Sequence, residues 1–182
     1  MDIGSSTGGF TDCSLQHGAK KVIGIDVGTN IMVEPLRNDK RVELHAQLNI
    51  KDVTKDLFKN VDIIVSDVSF ISIKRVIDKI SEQDNRFDLV LLIKPQFECG
   101  KEIADKYKGI ILDKDVHLSI LKDITKYLEE RFYYINNICE SPIKGGDGNI
   151  EYLIYVKSTY NPEQTYNINY KEIINNAFKK VK

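Results

Sequence analysis

Strand and helix patterns alternate over most of the chain, a glycine-rich turn follows a very short first strand, and two closing strands flank a second glycine turn. Together they predict an α/β fold: a mostly parallel sheet with one antiparallel C-terminal strand and helices on both faces. The first turn organises the rest. It reads Asp2-Ile3-Gly4-Ser5-Ser6-Thr7-Gly8-Gly9-Phe10-Thr11-Asp12, three glycines within six residues, and then a helix. Glycine lets backbone come close to a ligand, and a helix start offers free N–H groups, so this is a cradle for a nucleotide-like molecule. Such turns also bind dinucleotides or simply reverse the chain. Asp26, at the end of the strand Val22–Val27, strengthens the ligand reading, because an acid there faces ribose hydroxyls over the first loop.

The remaining elements follow in order. Ile31–Leu36 reads as a helical turn, Val42–Leu44 as the third strand and Val61–Val65 as the fourth. Ile73, Val76, Ile77 and Ile80 recur at i, i+3, i+4 and i+7, one apolar helix face. Leu89–Ile93 is a fifth strand buried on both sides, and Val116, Ile120, Ile124 and Leu128 stripe the next helix. Tyr133–Cys139 and Tyr152–Val156 close the sheet, joined by Gly145-Gly146-Asp147-Gly148-Asn149, residue types that suit a tight hairpin. A polar stretch around Pro162 leads to a last helix striped by Ile174, Ala177, Phe178 and Val181. Residues 1–157 are thus expected to form the main domain and 158–182 a polar linker and terminal helix. The first strand holds only Asp2-Ile3 where a central strand usually has ~5 residues, so the chain is expected to start inside that strand.

The chain has 182 residues, 42% of them apolar and 29% charged, enough for one globular core. Its longest aliphatic run, Leu89-Val90-Leu91-Leu92-Ile93, is far below the ~20 residues that span a bilayer, so a cytoplasmic protein without a membrane partner is expected. Cys13, Cys99 and Cys139 lack disulfide or metal spacing and read as reduced thiols; no metal site is expected. His17, His45 and His117 likewise show no ligand spacing. A net charge of −1 does not suit a stand-alone nucleic-acid binder. The oligomeric state is left open.

Chemistry gathers at the later strand ends. Asp67 closes the fourth strand, Lys94 the fifth, and Glu151 opens the last. In an open α/β sheet the carboxyl ends line the ligand crevice, and an antiparallel strand begins at that edge, so the three should converge.

At these positions the sequence resembles the hemolysin TlyA family of FtsJ-like RNA methyltransferases. The stretches that carry the resemblance are 2–12, Asp-Val-Ser-Phe-Ile-Ser at 67–72, Ile-Lys-Pro-Gln-Phe-Glu at 93–98 and Ser-Pro-Ile-Lys-Gly-Gly-Asp-Gly-Asn-Ile-Glu-Tyr-Leu at 141–153. The resemblance implies a class I, Rossmann-like methyltransferase fold, S-adenosyl-L-methionine as cofactor, and ribose 2′-O-methylation of ribosomal RNA or ribosomal subunits. Of the family's Lys-Asp-Lys-Glu tetrad, the last three match Asp67, Lys94 and Glu151. The first lysine and a small RNA-binding domain lie upstream in the family. This stretch alone is therefore expected to bind cofactor weakly and to leave RNA unmethylated. Asp2, Gly4, Ser5, Ser6, Thr7, Gly8, Gly9, Phe10, Asp26, Asn49 and Asp67 are the expected cofactor residues, with Asp52 as the alternative to Asn49 at the adenine.

A lysine ordinarily titrates near pKa ~10.4, so a free-base Lys94 is costly; as a cation it positions the acceptor and stabilises developing alkoxide. Both roles stay open. Three rival classes are weighed. In an amino-group methyltransferase, Asp67-Val68-Ser69-Phe70 would grip a base while Phe70 stacks on it, but Lys94 and Glu151 would have no role. A nicotinamide oxidoreductase is disfavoured because the glycines run G-x-x-x-G-G rather than G-x-G-x-x-G. A membrane-lytic hemolysin lacks a spanning segment or a strongly basic amphipathic helix.

Overall fold

The computed structural model describes residues 1–29, 31–161 and 167–179. Seven strands form one sheet in the order β3-β2-β1-β4-β5-β7-β6. They are β1 (Asp2–Ile3), β2 (Val22–Ile25), β3 (Val42–His45), β4 (Ile63–Ser66), β5 (Asp88–Ile93), β6 (Tyr134–Glu140) and β7 (Tyr152–Lys157). β7 slots between β5 and β6 and runs antiparallel to both, while the pairings among β1 to β5 are all parallel. The expected single antiparallel strand is therefore β7. The helices are α1 (Gly9–Gln16), α2 (Glu34–Arg37), α3 (Ile73–Ser81), α4 (Pro95–Glu98), α5 (Lys101–Lys106), α6 (Lys114–Glu129) and α7 (Tyr170–Lys179).

Side-chain alternation divides the sheet between two layers. Ile3, Ile25, Ile64, Leu89, Leu91, Ile93, Ile154 and Val156 join α3, α6 and α7 in the main core. Ile73, Val76, Ile77 and Ile80 of α3 are all buried, as their spacing predicts. In α6, Ile120, Ile124 and Leu128 are buried and Val116 is half-buried. Asp113 caps α6 by accepting from the N–H groups of Asp115 and Val116. α7 adds Ile173, Ile174 and Ala177 to the core, with Phe178 packed at its margin; Val181 and Pro162 lie outside the described residues. On the other face Leu15 of α1, Val22 and Met32 are buried apart from that cluster. Gly24 makes room there, since a side chain on it would press on Met32, Leu44 and Ser5.

Two expectations shift. The helical turn placed at 31–36 is α2, three residues later, because Pro35 fixes a helical start just inside Glu34. The tight hairpin after β6 is instead a long connection: Glu140 pairs with Tyr152, leaving residues 141–151 between the strands. Within it Gly146–Gly148 makes a single 3-10 turn with Asp147 at φ 56°. Asn149 holds this loop down: its side chain donates to Gly109 O at 2.9 Å and accepts from Ile111 N at 3.2 Å. His117, wholly buried, ties the same region together through Tyr152 Oη and Ile111 O.

Asp2 places a carboxyl in the interior of the sheet. It is fully buried, Oδ2 accepts from Thr11 Oγ1 at 2.7 Å, and Oδ1 has no hydrogen-bond partner. Burial, against the opposing pull of Thr11 and the N-terminal ammonium, pushes its carboxyl up to about 6. The folded state thus binds a proton more tightly than the unfolded chain. This contribution to stability is present at low pH and lost as pH rises from about 4 to about 6, amounting to about 2–3 kcal/mol. Asp2→Asn is expected to gain stability relative to the native chain across that window and to hold a constant advantage above it. Urea denaturation of both at pH 4, 5, 6 and 7 checks this; a pH-independent difference would refute it.

Candidate active site

The strand order reverses between β1 and β4, and in such sheets the crevice opens at the carboxyl ends beside the reversal. Register fixes what stands there. Ile3 pairs with Ile25 and with Ser66, so the next residues, Gly4, Asp26 and Asp67, share one row. Ile93 pairs with Tyr152 in the antiparallel ladder, so one further step sets Lys94 opposite Glu151.

Gly4 is required by this geometry. Its φ is +81°, and a Cβ on it would collide with the carbonyl of Asp67, so the first loop and the β4 end can meet only at a glycine. Gly4 N and Ser5 N both donate to Ile25 O, at 2.8 and 3.1 Å, and Asp67 N donates to Ile3 O at 3.0 Å. Gly8, at φ +106°, leaves room for Leu36 and Met32, so its role is packing at the start of α1.

Beside Gly4 lies a cavity of about 540 Å³, lined at the strand ends by Ile3, Gly4, Asp26 and Asp67 and by loop residues including Ser6, Asn49 and Phe70. Its walls are largely aliphatic, with Ile31, Leu48, Ile50, Val68 and Ile71 contributing. Asp26 accepts from Ser6 N and Gly28 N, both at 2.7 Å, one on each oxygen. Each oxygen retains a second lone pair for a ligand hydroxyl. Asn49 caps a 3-10 turn at Ile50–Asp52, accepting from Lys51 N at 3.1 Å, and lines the cavity as well. Asp52 is exposed and outside the lining.

The other expected cofactor residues divide. Gly4, Ser6, Asp26, Asn49 and Asp67 line the cavity. Asp2 and Ser5 are buried beneath the loop, and Ser5 Oγ lacks a hydrogen-bond partner. Thr7, Gly8, Gly9 and Phe10 lie away from the lining; Thr7 O instead accepts from Val33 N at 3.1 Å.

Asp67, Lys94 and Glu151 do converge. Lys94 Nζ stands 2.5 Å from Asp67 Oδ1, a contact ion pair without hydrogen-bond alignment, and donates to Ser69 Oγ at 3.0 Å. The lysine side chain is 12% exposed. Glu151 is 5% exposed; burial pushes its carboxyl up, and the Lys94 charge opposes that. Gln96 Nε2 donates to Glu151 Oε1 at 3.1 Å, while Gln96 Oε1 is buried without a hydrogen-bond partner.

Two loops carry this cluster and are stitched together along their length. After the Lys94 contacts come the rings of Phe70 and Phe97, 5.1 Å apart. Next, Glu98 accepts from Ser72 Oγ at 2.6 Å and from Ile73 N at 2.7 Å, capping α3. Phe70 itself is 88% exposed at φ 66°, a backbone conformation that a bulky residue takes only when its surroundings enforce it. Ser69, Gln96 and Glu98 escaped the reading of single positions, although all three sit inside the stretches that carry the family resemblance. Among the described residues no group of histidine, cysteine or acidic side chains could hold a metal ion, and no helix is long and apolar enough to cross a membrane. Cys13 and Cys99 are free thiols.

An FtsJ-like methyltransferase family model matches residues 1–158. The chain is 48% identical over 159 residues to "Hemolysin A" of Brachyspira hyodysenteriae, covering 85% of this chain and 65% of that protein. It is 35% identical over 155 residues to the "23S rRNA (cytidine-2′-O)-methyltransferase TlyA" of Campylobacter jejuni, covering 85% and 60%. A hemolysin-named protein of Streptococcus thermophilus superposes with a TM-score of 0.87 at 36% identity, covering 98% of this chain and 66% of that one. The chain thus spans roughly two thirds or less of the length of each of these relatives. Solved S-adenosylmethionine-dependent methyltransferases at 13–17% identity share the fold alone. The chain belongs to the FtsJ-like methyltransferase family, in the branch whose members carry the TlyA and hemolysin names.

Proposed function

We propose that this chain is the methyltransferase part of an S-adenosyl-L-methionine-dependent enzyme that methylates ribose 2′-hydroxyls of ribosomal RNA. The observation that carries the reading is the Asp67–Lys94 ion pair, with Glu151 beside it, at the edge of a cavity whose other rim is Gly4 and Asp26. The residues present fit the cofactor. A carboxylate with free lone pairs suits ribose hydroxyls, the aliphatic walls from Leu48, Ile50 and Ile71 suit an adenine, and Gly4 leaves the backbone open to close approach. When bound, the cofactor supplies an electrophilic methyl group on a sulfonium.

The protein's share is alignment and charge. Lys94, ion-paired to Asp67 and facing the charge of Glu151, is an ammonium whose remaining N–H bonds can hold an acceptor hydroxyl. It stabilises negative charge on that oxygen as the hydroxyl proton leaves to water. Asp67 and Glu151 position the ammonium. Asp67, Lys94 and Glu151 all fall within residues 1–157, and α7 packs against α6 and β6. Ribosomal RNA as substrate rests on the TlyA relative, which is named for that activity. The amino-group reading leaves Lys94 and Glu151 without work, and a membrane-lytic reading has no spanning helix among the described residues.

Three outcomes test this. Asp26→Asn is expected to weaken S-adenosylhomocysteine binding by about 1–3 kcal/mol, measured calorimetrically, through loss of charged hydrogen bonds; equal affinity removes Asp26 from the site. In the enzyme that includes the family's upstream part, Lys94→Ala should leave that affinity nearly intact and cut methyl transfer to ribosomal subunits by ~100-fold or more. A comparable loss of binding would recast Lys94 as a cofactor contact. Mass spectrometry of digested product RNA should find a 2′-O-methyl nucleoside, and a methylated base would favour the amino-group reading.

A further inference from the structure

We infer that Gln96 is the positioning residue of Glu151, its side-chain amide orienting the carboxylate and holding it in the ionised form that faces Lys94. The inference rests on the role of Glu151 proposed above and extends it to a residue outside the expected catalytic set.

Glu151 sits at the first residue before β7, 5% exposed, with little water to solvate a charge. Its surroundings are mixed. Lys94 favours the ionised form and Asp67 opposes it. Glu140 and Lys144 share with Glu151 the lining of a small cavity of about 70 Å³ on the other side. Gly145 lies against the carboxylate so closely that a Cβ there would strike Oε1. Into this crowded place Gln96 sends Nε2, 3.1 Å from Glu151 Oε1. A neutral N–H donor supports a carboxylate without adding a competing cation beside Lys94.

The other half of the amide bears on this orientation. Gln96 Oε1 is buried with no hydrogen-bond partner, and a buried acceptor left unmade costs about 1–3 kcal/mol. Turning the amide over would bring Oε1 against the carboxylate of Glu151, oxygen against oxygen, a contact that only a protonated Glu151 could satisfy. The Nε2-inward orientation thus suits an ionised Glu151. Gln96 is also on the first turn after Lys94, so one segment, Lys94–Glu98, fixes both the lysine and the carboxylate opposite it.

The test is a direct titration of Glu151 by carbon-13 NMR of glutamate side-chain carboxyls, the resonance assigned with Glu151→Gln, in the native chain, Gln96→Met and Gln96→Glu. Met keeps the size and removes the donor, so the Glu151 midpoint should rise by roughly one pH unit. Glu keeps the shape and adds a like charge, so the midpoint should rise further. That ordering follows charge and donor capacity, and a role in packing alone would not produce it. Should Gln96→Met fail to fold, the isosteric Gln96→Glu alone decides. An unchanged midpoint in the folded variants overturns the inference. In methylation assays the acid limb of the kcat profile should move with the midpoint. Shifted midpoints with no methyl transfer to RNA by the enzyme that includes the family's upstream lysine and RNA-binding domain would leave Gln96 in place and reject the function proposed for the site, whereas methylation by that enzyme with unmoved midpoints rejects Gln96 alone.

Discussion

Everything at the site depends on how closely the first loop can approach the end of β4. The peptide of Asp67 lies where a Cβ on residue 4 would be, so the two segments are in contact only because Gly4 has none. An alanine there would face both the collision and a φ of +81°, and the strain of relieving them would push the loop and β4 apart. That contact sets the width of the crevice at the strand-order reversal. The cavity floor, the height of Asp26 relative to Asp67, and through Asp67 the seat of Lys94 all follow from it.

From that contact outward the site is a chain of constraints rather than a set of independent side chains. Asp67 holds Lys94, Lys94 holds Ser69, Phe70 rests on Phe97, and Glu98 fixes Ser72 and the start of α3. The charges are balanced locally, with Lys94 as the cation between two carboxylates, while Glu98 finds its compensation in hydrogen bonds at a helix start. Burial pushes the Glu98 carboxyl up, against the pull of the Ser72 and Ile73 donors. The residue after Glu151 shows the same economy: His117, buried and so kept from protonating readily, serves as a neutral linker between Tyr152 and Ile111.

The sequence made some of this legible and not the rest, for physical reasons. The stripes on α3 and α6 and the aliphatic run of β5 are periodic, and periodicity survives in one dimension; these elements stand where they were expected. The convergence of Asp67, Lys94 and Glu151 could be foreseen because strand ends in a parallel sheet share an edge. Their order of contact could not, since it depends on register: Lys94 meets Asp67 directly, while Glu151 is held by Gln96. The glycine stretch misled in part. Gly8 matches a ligand-cradle pattern, yet its missing side chain serves Leu36 and Met32. Asp2 carries the strand-end acid that such motifs place near a ligand, but its carboxylate is spent on Thr11 beneath the helix. The glycine turn before β7 looked like a hairpin, because nothing local reveals that Asn149 is tied to Gly109 and Ile111, some 40 residues earlier.

The place of β7 in the sheet has a consequence for how the fold comes into being on the ribosome. β5 holds the longest aliphatic run of the chain, and its second edge is closed by β7, which is translated some sixty residues later and must insert between β5 and β6. Until then a nascent chain presents Leu89–Ile93 as an open, hydrophobic sheet edge, the kind of surface that recruits chaperones or aggregates. Glu151 arrives with the same strand. The carboxylate of Glu151 and the seal on the sheet therefore arrive in one late step, and a prematurely terminated chain lacks both.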